Sequence, residues 1–153
     1  MSAGRGRGGG WVVGQSFLMV GALVAAVVWP APGRSATGLF VGGVLILLGG
    51  VVGVAGVVAL GPNRTAYPRP REDATLVDQG IYAWIRHPLY ASLMLVSFGW
   101  AAAWGSLPAG VVALVETVFL MAKARREEAW LRARFPGYAA YQRRVRRFLP
   151  GIH

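Results

Sequence analysis

Residues Thr75 to Tyr90 read TLVDQGIYAWIRHPLY and set an Arg, a His and a Pro directly in front of the apolar run Leu89 to Leu107. Hydrogen-bonding and titratable groups therefore gather where a chain would enter a membrane. Pro88 suits the first turn of a helix, where its missing N–H has no partner to lose. The residues before it are biased toward extended backbone, which leaves amide groups open to a ligand. This stretch predicts a polar site at the membrane edge, with His87 able to donate or accept a hydrogen bond.

The surroundings are those of a membrane chain. Of 153 residues, 55% are hydrophobic and 14% charged, with a mean hydropathy of +0.48, against roughly 45–50% and 25% in soluble domains. Trp11 to Trp29, Gly38 to Leu60 and Leu89 to Leu107 carry no charge, and each is near the roughly 20 residues that cross about 30 Å of hydrocarbon. A fourth run, Pro108 to Ala122, is shorter and contains Glu116. It follows the third through Gly105-Ser106-Leu107-Pro108, so a helical hairpin is expected. The predicted fold is all-α: a polytopic membrane helix bundle of about four transmembrane helices with a cytoplasmic C-terminal helical extension. Residues 1–10, with GRGRGGG, read as a flexible basic tail, and 11–153 as a single membrane domain. The first run reads as a retained helix rather than a signal peptide, being long for a signal core and followed by the poor cleavage site Pro30-Ala31-Pro32.

Charge orients the bundle. With four helices, every Lys and Arg except Arg34 falls on one side, which the positive-inside rule makes cytoplasmic. A multi-pass protein of the cell membrane with both termini cytoplasmic follows. The net charge of +10 is then explained by topology and anionic headgroups, with no nucleic acid as partner. Asn63-Arg64-Thr65 matches a glycosylation sequon but lies on the wrong side for modification. The absence of Cys and the distance in sequence between His87 and His153 argue against a metal site. In the second helix, Gly42, Gly43, Gly49, Gly50, Gly53 and Gly56 predict close helix packing, either within the chain or in a homodimer.

A second polar cluster lies beyond the fourth run, in Lys123-Ala124-Arg125-Arg126-Glu127-Glu128-Ala129-Trp130-Leu131. These are helix formers, so the helix is expected to continue out of the membrane with Lys123 and Glu127 one turn apart. Taken alone this reads as a solvated helix with one ion pair. The hairpin, however, brings Thr75–Tyr90 to the same level, and the two clusters converge on a site suited to a charged small molecule whose partner comes from the lipid. Glu116 is a further candidate, since a carboxylate within a membrane helix is costly; a bundle-facing partner for a hydroxyl is the equal alternative.

Thr75-Leu76-Val77, Gly80-Ile81-Tyr82 and Arg86-His87-Pro88-Leu89-Tyr90 are followed one hairpin later by Glu127-Glu128-Ala129-Trp130-Leu131, Phe135, Tyr141 and Arg147-Phe148-Leu149-Pro150. This ordered pattern resembles the isoprenylcysteine carboxyl methyltransferase family, which shares its C-terminal core with membrane phospholipid methyltransferases. The resemblance covers half the chain, with a cofactor-binding core over 74–150, and the first two helices add nothing to it. It implies an integral membrane enzyme that binds S-adenosylmethionine at the cytoplasmic ends of the last helices. Thr75, Leu76, Val77, Tyr82, His87, Pro88, Leu89 and Tyr90 would line the cofactor pocket, with Glu127 and Glu128 as its acidic side.

The family's acceptor-binding Arg is replaced here by Lys123, which lacks the bidentate fork, and Ala74 stands where the family often has His. The implied reaction is in-line methyl transfer from a sulfonium to a nucleophile arriving through the bilayer, most readily a carboxylate positioned by Lys123 or Arg126. An amine or thiol acceptor must lose a proton, which makes His87 or Glu128 a candidate base. The acceptors considered are an isoprenylcysteine-like acid, a phospholipid amine and a small lipophilic acid or thiol. Outside this class stand a small proton-coupled exporter working through Glu116 and a catalytically silent membrane scaffold.

Overall fold

The computed structural model describes residues 8–65, 67 and 73–148. The basic residues Arg5, Arg7, Arg69 and Arg71, the closing Leu149-Pro150 and His153 lie outside the described residues. The described residues form five α-helices in order: α1 (Gly9–Val28), α2 (Ala36–Leu60), α3 (Pro88–Trp104), α4 (Leu107–Arg134) and α5 (Tyr138–Arg144). Two 3₁₀ turns, Gly61–Asn63 and Gly80–Ala83, flank the segment between α2 and α3. The helix starts before the expected end of the basic tail: Gly8 adopts a left-handed φ of 87°, and Gly9 and Gly10 are already helical.

Among the described residues, three units are long and apolar enough to cross a membrane: α1, α2 continued through Asn63, and α4. The fourth apolar helix, α3, has 17 residues. Gly105, with φ 62°, ends α3 in the left-handed conformation that a residue without Cβ adopts freely. Ser106 then caps α4 by accepting from the Ala109 amide at 3.3 Å, and Pro108 occupies the first turn. That is the expected hairpin. α4 has 28 residues, about 42 Å of helix against about 30 Å of hydrocarbon, so its C-terminal third runs beyond the apolar layer.

The glycines of α2 are consumed within the chain. A Cβ at Gly42 would stand 2.5 Å from the Gly99 carbonyl oxygen, and one at Gly56 would stand 2.9 Å from Leu89 Cδ2. At Gly49 it would lie 3.0 Å from the Ser92 carbonyl, and the Ser92 hydroxyl donates to the Gly49 carbonyl at 2.7 Å. Backbone-to-backbone approach of α2 and α3 depends on these absent side chains. This glycine face of α2 is covered by α3 of the same chain. Gly43 and Gly50, on the other face, meet nothing within 4 Å.

Alternating helix directions bring the start of α1, the end of α2, the start of α3 and the extended end of α4 to one end of the bundle. At the opposite end Arg34 lies 4.4 Å from the centre of the Trp104 ring. Beyond α4, the short α5 and the residues after it fold back on the first end. Ile85 and Arg146 form an isolated parallel bridge, and the amides of Arg86 and His87 donate to the carbonyls of Arg146 and Arg147 at 2.8 and 3.0 Å.

Candidate active site

A cavity of about 190 Å³ opens at this end of the bundle. Its walls come from every part of the chain that converges there. Gln15 comes from α1, Asn63, Thr65 and Tyr67 from the end of α2, and Ala74 to Val77 from the connecting segment. Tyr82, His87, Leu89, Tyr90 and Leu93 surround the start of α3, Lys123, Glu127 and Leu131 lie along α4, and Phe135, Tyr138 and Tyr141 close the far side.

The two adjacent carboxylates of α4 have separate tasks, because successive side chains on a helix point about 100° apart. Glu127 faces the cavity. Its Oε2 accepts a 2.6 Å hydrogen bond from the Tyr90 hydroxyl and lies 3.7 Å from His87 Nδ1. Glu128 faces inward and is 1% exposed. Its two oxygens meet Arg86 Nη2 at 3.0 Å, His87 Nε2 at 3.2 Å, Arg147 Nη2 at 2.7 Å and Gln142 Nε2 at 3.1 Å. A buried carboxylate needs such compensation. The hydrogen bonds from Arg147 hold Glu128 in place and in turn push the Arg147 guanidinium above its ordinary range.

Arg86 extends the hub by donating to the backbone carbonyls of Gln142 and Val145. The hub therefore bolts the chain before α3 to the chain after α5. Tyr141 adds a second tie, its hydroxyl donating to the Tyr82 carbonyl at 2.7 Å. Burial, and then the Glu127 carboxylate, raise the Tyr82 phenol above its ordinary pKa, so it stays a neutral hydroxyl beside the cavity.

Eight of the predicted site residues line this cavity together: Thr75, Leu76, Val77, Tyr82, His87, Leu89, Tyr90 and Glu127. Lys123 joins them. It is 2% exposed rather than solvated, with Nζ 5.1 Å from the centre of the Tyr90 ring and donating to Gln15 Oε1. Three predicted residues do not line the cavity. Pro88 is buried as the first residue of α3, Glu128 is the centre of the structural hub, and Arg126 is exposed with its guanidinium 5.0 Å from the Trp130 ring centre. One helical position turns Arg126 away from the cavity that Glu127 faces.

Asn63 and Gln15 are cavity residues that the sequence reading did not single out. Asn63 Oδ1 accepts from the Thr75 amide at 2.8 Å, and its Nδ2 donates to the Thr75 hydroxyl at 3.3 Å, so it pins the Thr75-Leu76-Val77 segment along the wall. Its place in a sequon pattern hid this role. Glu116 does not line the cavity; it is fully buried between helices and accepts from the Ser97 hydroxyl at 2.5 Å.

The family model for phospholipid methyltransferase matches residues 37–137, which is most of the chain. This chain belongs to the phospholipid methyltransferase family. The matched unit of that family runs from α2 through α4. The second helix, which resembled nothing in particular as sequence, is thus part of the family core, while α1 stands outside it.

Among curated proteins, the chain is similar to the cobalt-zinc-cadmium resistance protein CzcN of Cupriavidus metallidurans. They are 33% identical over 150 residues, covering 97% of this chain and 65% of that protein. Among solved structures it is similar to the eukaryotic intramembrane Ras methyltransferase, isoprenylcysteine carboxyl methyltransferase. There the TM-score is 0.67 at 26% identity, over 74% of this chain and 43% of that one. The chain therefore spans about two thirds of the curated relative's length and less than half of the structural relative's. The resemblance to membrane methyltransferases is borne out by both the family match and the structural one.

Proposed function

We propose that this chain is an integral membrane methyltransferase that uses S-adenosylmethionine and methylates a lipophilic acceptor, with carboxyl O-methylation of an isoprenylcysteine-like acid as its reaction. The observation that carries this reading is the opposite charge of Glu127 and Lys123, one helical turn apart on α4 and both lining one cavity at the bundle's end. A carboxylate suits the cation of one reactant and an ammonium suits the anion of the other.

The lining fits this cofactor. Glu127 supplies a negative charge fixed in direction by Tyr90. Tyr67, Tyr82 and Phe135 supply flat apolar surface, and the buried Tyr138 hydroxyl, which has no partner among the described residues, supplies a polar atom whose burial calls for one. S-adenosylmethionine bound there would supply an electrophilic methyl group on a sulfonium.

The chain's own residues then have positioning tasks. Glu127 holds the positive reactant, Asn63 keeps the Thr75-Leu76-Val77 wall in place, and Lys123 orients the acceptor's anion. Proximity and alignment of this kind can supply several kcal/mol of barrier lowering. A carboxylate acceptor is already ionised at neutral pH and needs no base. His87, stacked on Tyr90 with ring centres 5.3 Å apart and bonded to Glu128, acts as a positioning residue. The distribution of Lys and Arg supports a cytoplasmic placement of this end, with both termini on that side.

The test is methyl transfer in lipid nanodiscs from methyl-tritiated S-adenosylmethionine to a farnesyl thioether carboxylic acid and, separately, to a bacterial lipid extract. Label in the acid that mild base releases as methanol supports the proposed esterification. Base-stable label in the lipid extract would instead support amine or thiol methylation. No transfer to either would overturn the enzyme reading.

A further inference from the structure

α1 lies outside the residues matched by the family, yet it sends one polar side chain into the site. Gln15, next to Ser16 at the second turn of α1, lines the cavity. Polar side chains within apolar helices are expensive and tend to serve a site. Its placement is built in by its neighbours. A Cβ at Gly14 would meet Phe119 Cζ at 2.8 Å, so glycine lets α1 close onto α4. Trp11 then packs on the Phe119 ring with centres 5.1 Å apart. Phe119 and Lys123 are one turn apart on the same face of α4, and this contact delivers Gln15 Oε1 to Lys123 Nζ.

We propose that Gln15 is a specificity-determining residue for an acidic acceptor, acting with Lys123 as a two-point clamp on its carboxylate. This rests on the methyltransferase reading above. A lysine alone is a point charge and cannot match the two oxygens of a carboxylate as a guanidinium does. An amide that accepts from the lysine through its oxygen carries two N–H donors on the adjacent nitrogen. Lys123 Nζ and Gln15 Nε2 together present a pair of donors, one charged and one neutral, from two different helices. Lys123 lies one turn closer than Glu127 to the apolar part of α4, the side from which an acceptor with an apolar tail would bring its head group. Glu127, one turn further along α4, keeps the opposite charge for the other reactant.

The experiment compares wild type with Gln15→Glu and Gln15→Met in nanodiscs. It measures binding of S-adenosylhomocysteine and, with that compound saturating, binding of a farnesyl thioether carboxylic acid and of its primary amide. Gln15→Glu keeps an acceptor for Lys123 and the shape of the side chain but replaces the donor by an anion. The acid is expected to bind about tenfold or more weakly to Gln15→Glu, as for loss of a hydrogen bond to a charged group. The amide and S-adenosylhomocysteine should bind as in wild type, and KM for the acid should rise with little change in kcat. Gln15→Met should show a smaller loss confined to the acid.

Unchanged acid affinity in both variants would overturn the clamp, as would equal losses for acid and amide. A loss confined to S-adenosylhomocysteine would overturn it by assigning the pair to the cofactor. Wild type that binds S-adenosylhomocysteine but not the acid overturns the clamp alone, whereas wild type that binds neither overturns the methyltransferase reading as well.

Discussion

The Tyr90 hydroxyl donates a 2.6 Å hydrogen bond to Glu127 Oε2, joining the first turn of α3 to the part of α4 that runs beyond the apolar layer. One bond thus orients the cavity's carboxylate and couples two helices that the α3–α4 hairpin holds side by side. His87 stacks nearly parallel to the Tyr90 ring, at an interplanar angle of 4°, and Lys123 approaches the same ring. Tyr90 is therefore a platform that sets three cavity side chains at once.

Tyr90→Phe keeps the ring stack and removes only the hydrogen bond to Glu127. Loss of a bond to a charged group costs roughly 1.5–3 kcal/mol of stability, so the unfolding temperature should fall, and S-adenosylmethionine affinity should fall as well because Glu127 loses its fixed direction. Calorimetric titration beside a thermal melt checks both halves, and unchanged affinity would show that Glu127 needs no orientation.

Glu128→Ala should act on the fold rather than on the cofactor. It strands Arg86, whose side chain is 8% exposed, together with His87 and Arg147. Removing one partner of a buried ion pair costs about 3–5 kcal/mol. A large drop in the unfolding temperature is expected, with the C-terminal residues 145–148 becoming accessible to protease before the bundle melts.

The adjacent pair Glu127 and Glu128 shows where sequence reading stops. The long motif from Thr75 to Phe148 identified the site's membership well, because its residues keep their order across the hairpin. Which carboxylate faces the cavity depends on the rotation of α4 against α3, and no local pattern records that rotation. Gln15 and Asn63 were illegible for a related reason. Their partners, Lys123 and Thr75, lie 108 and 12 positions away, and each residue has a plain local explanation as a polar residue or part of a sequon. The hairpin, by contrast, was written in Gly105-Ser106-Leu107-Pro108, where every residue has a local backbone role. The packing of α2 was half legible: its glycines announced a close approach, but only the structure shows that the partner is α3 of the same chain.

Gly42→Ala and Gly43→Ala should differ sharply although they are neighbours. The first puts a methyl group 2.5 Å from the Gly99 carbonyl oxygen, while the second meets nothing within 4 Å. Overpacking of this kind costs typically about 1–3 kcal/mol, whereas Gly43→Ala gains up to about 1 kcal/mol of helix propensity. Unfolding in a detergent series measures the contrast, and equal effects would contradict the α2–α3 contact.

Glu116→Gln should fold and transfer methyl groups within about twofold of wild type, since a Gln amide can still pair with Ser97 at this site. Ser97→Ala, which leaves the buried Glu116 side chain without its hydroxyl partner, should lower the unfolding temperature through the desolvation of an unpaired polar group. Loss of methyl transfer in Glu116→Gln with the fold intact would tie the intramembrane carboxylate to the reaction.

Alkaline pH offers a check on the C-terminal closure. Burial raises the phenols of Tyr82, Tyr138 and Tyr141, with Glu127 adding at Tyr82 and Glu128 at Tyr138. The unfolded chain releases these protons near pH 10 while the folded chain retains them, so stability falls as pH rises above about 10. Tyrosinate absorbance should appear together with loss of structure around Tyr82, Tyr138 and Tyr141. Free titration of these tyrosines near pH 10 with the fold intact would contradict their burial.

Calorimetric titration of S-adenosylmethionine into the nanodisc-embedded protein, with Glu127→Ala titrated beside it, tests the central claim most directly. Saturable binding by wild type that is lost in a folded Glu127→Ala variant is the predicted result. Absence of binding by folded wild type would contradict the account.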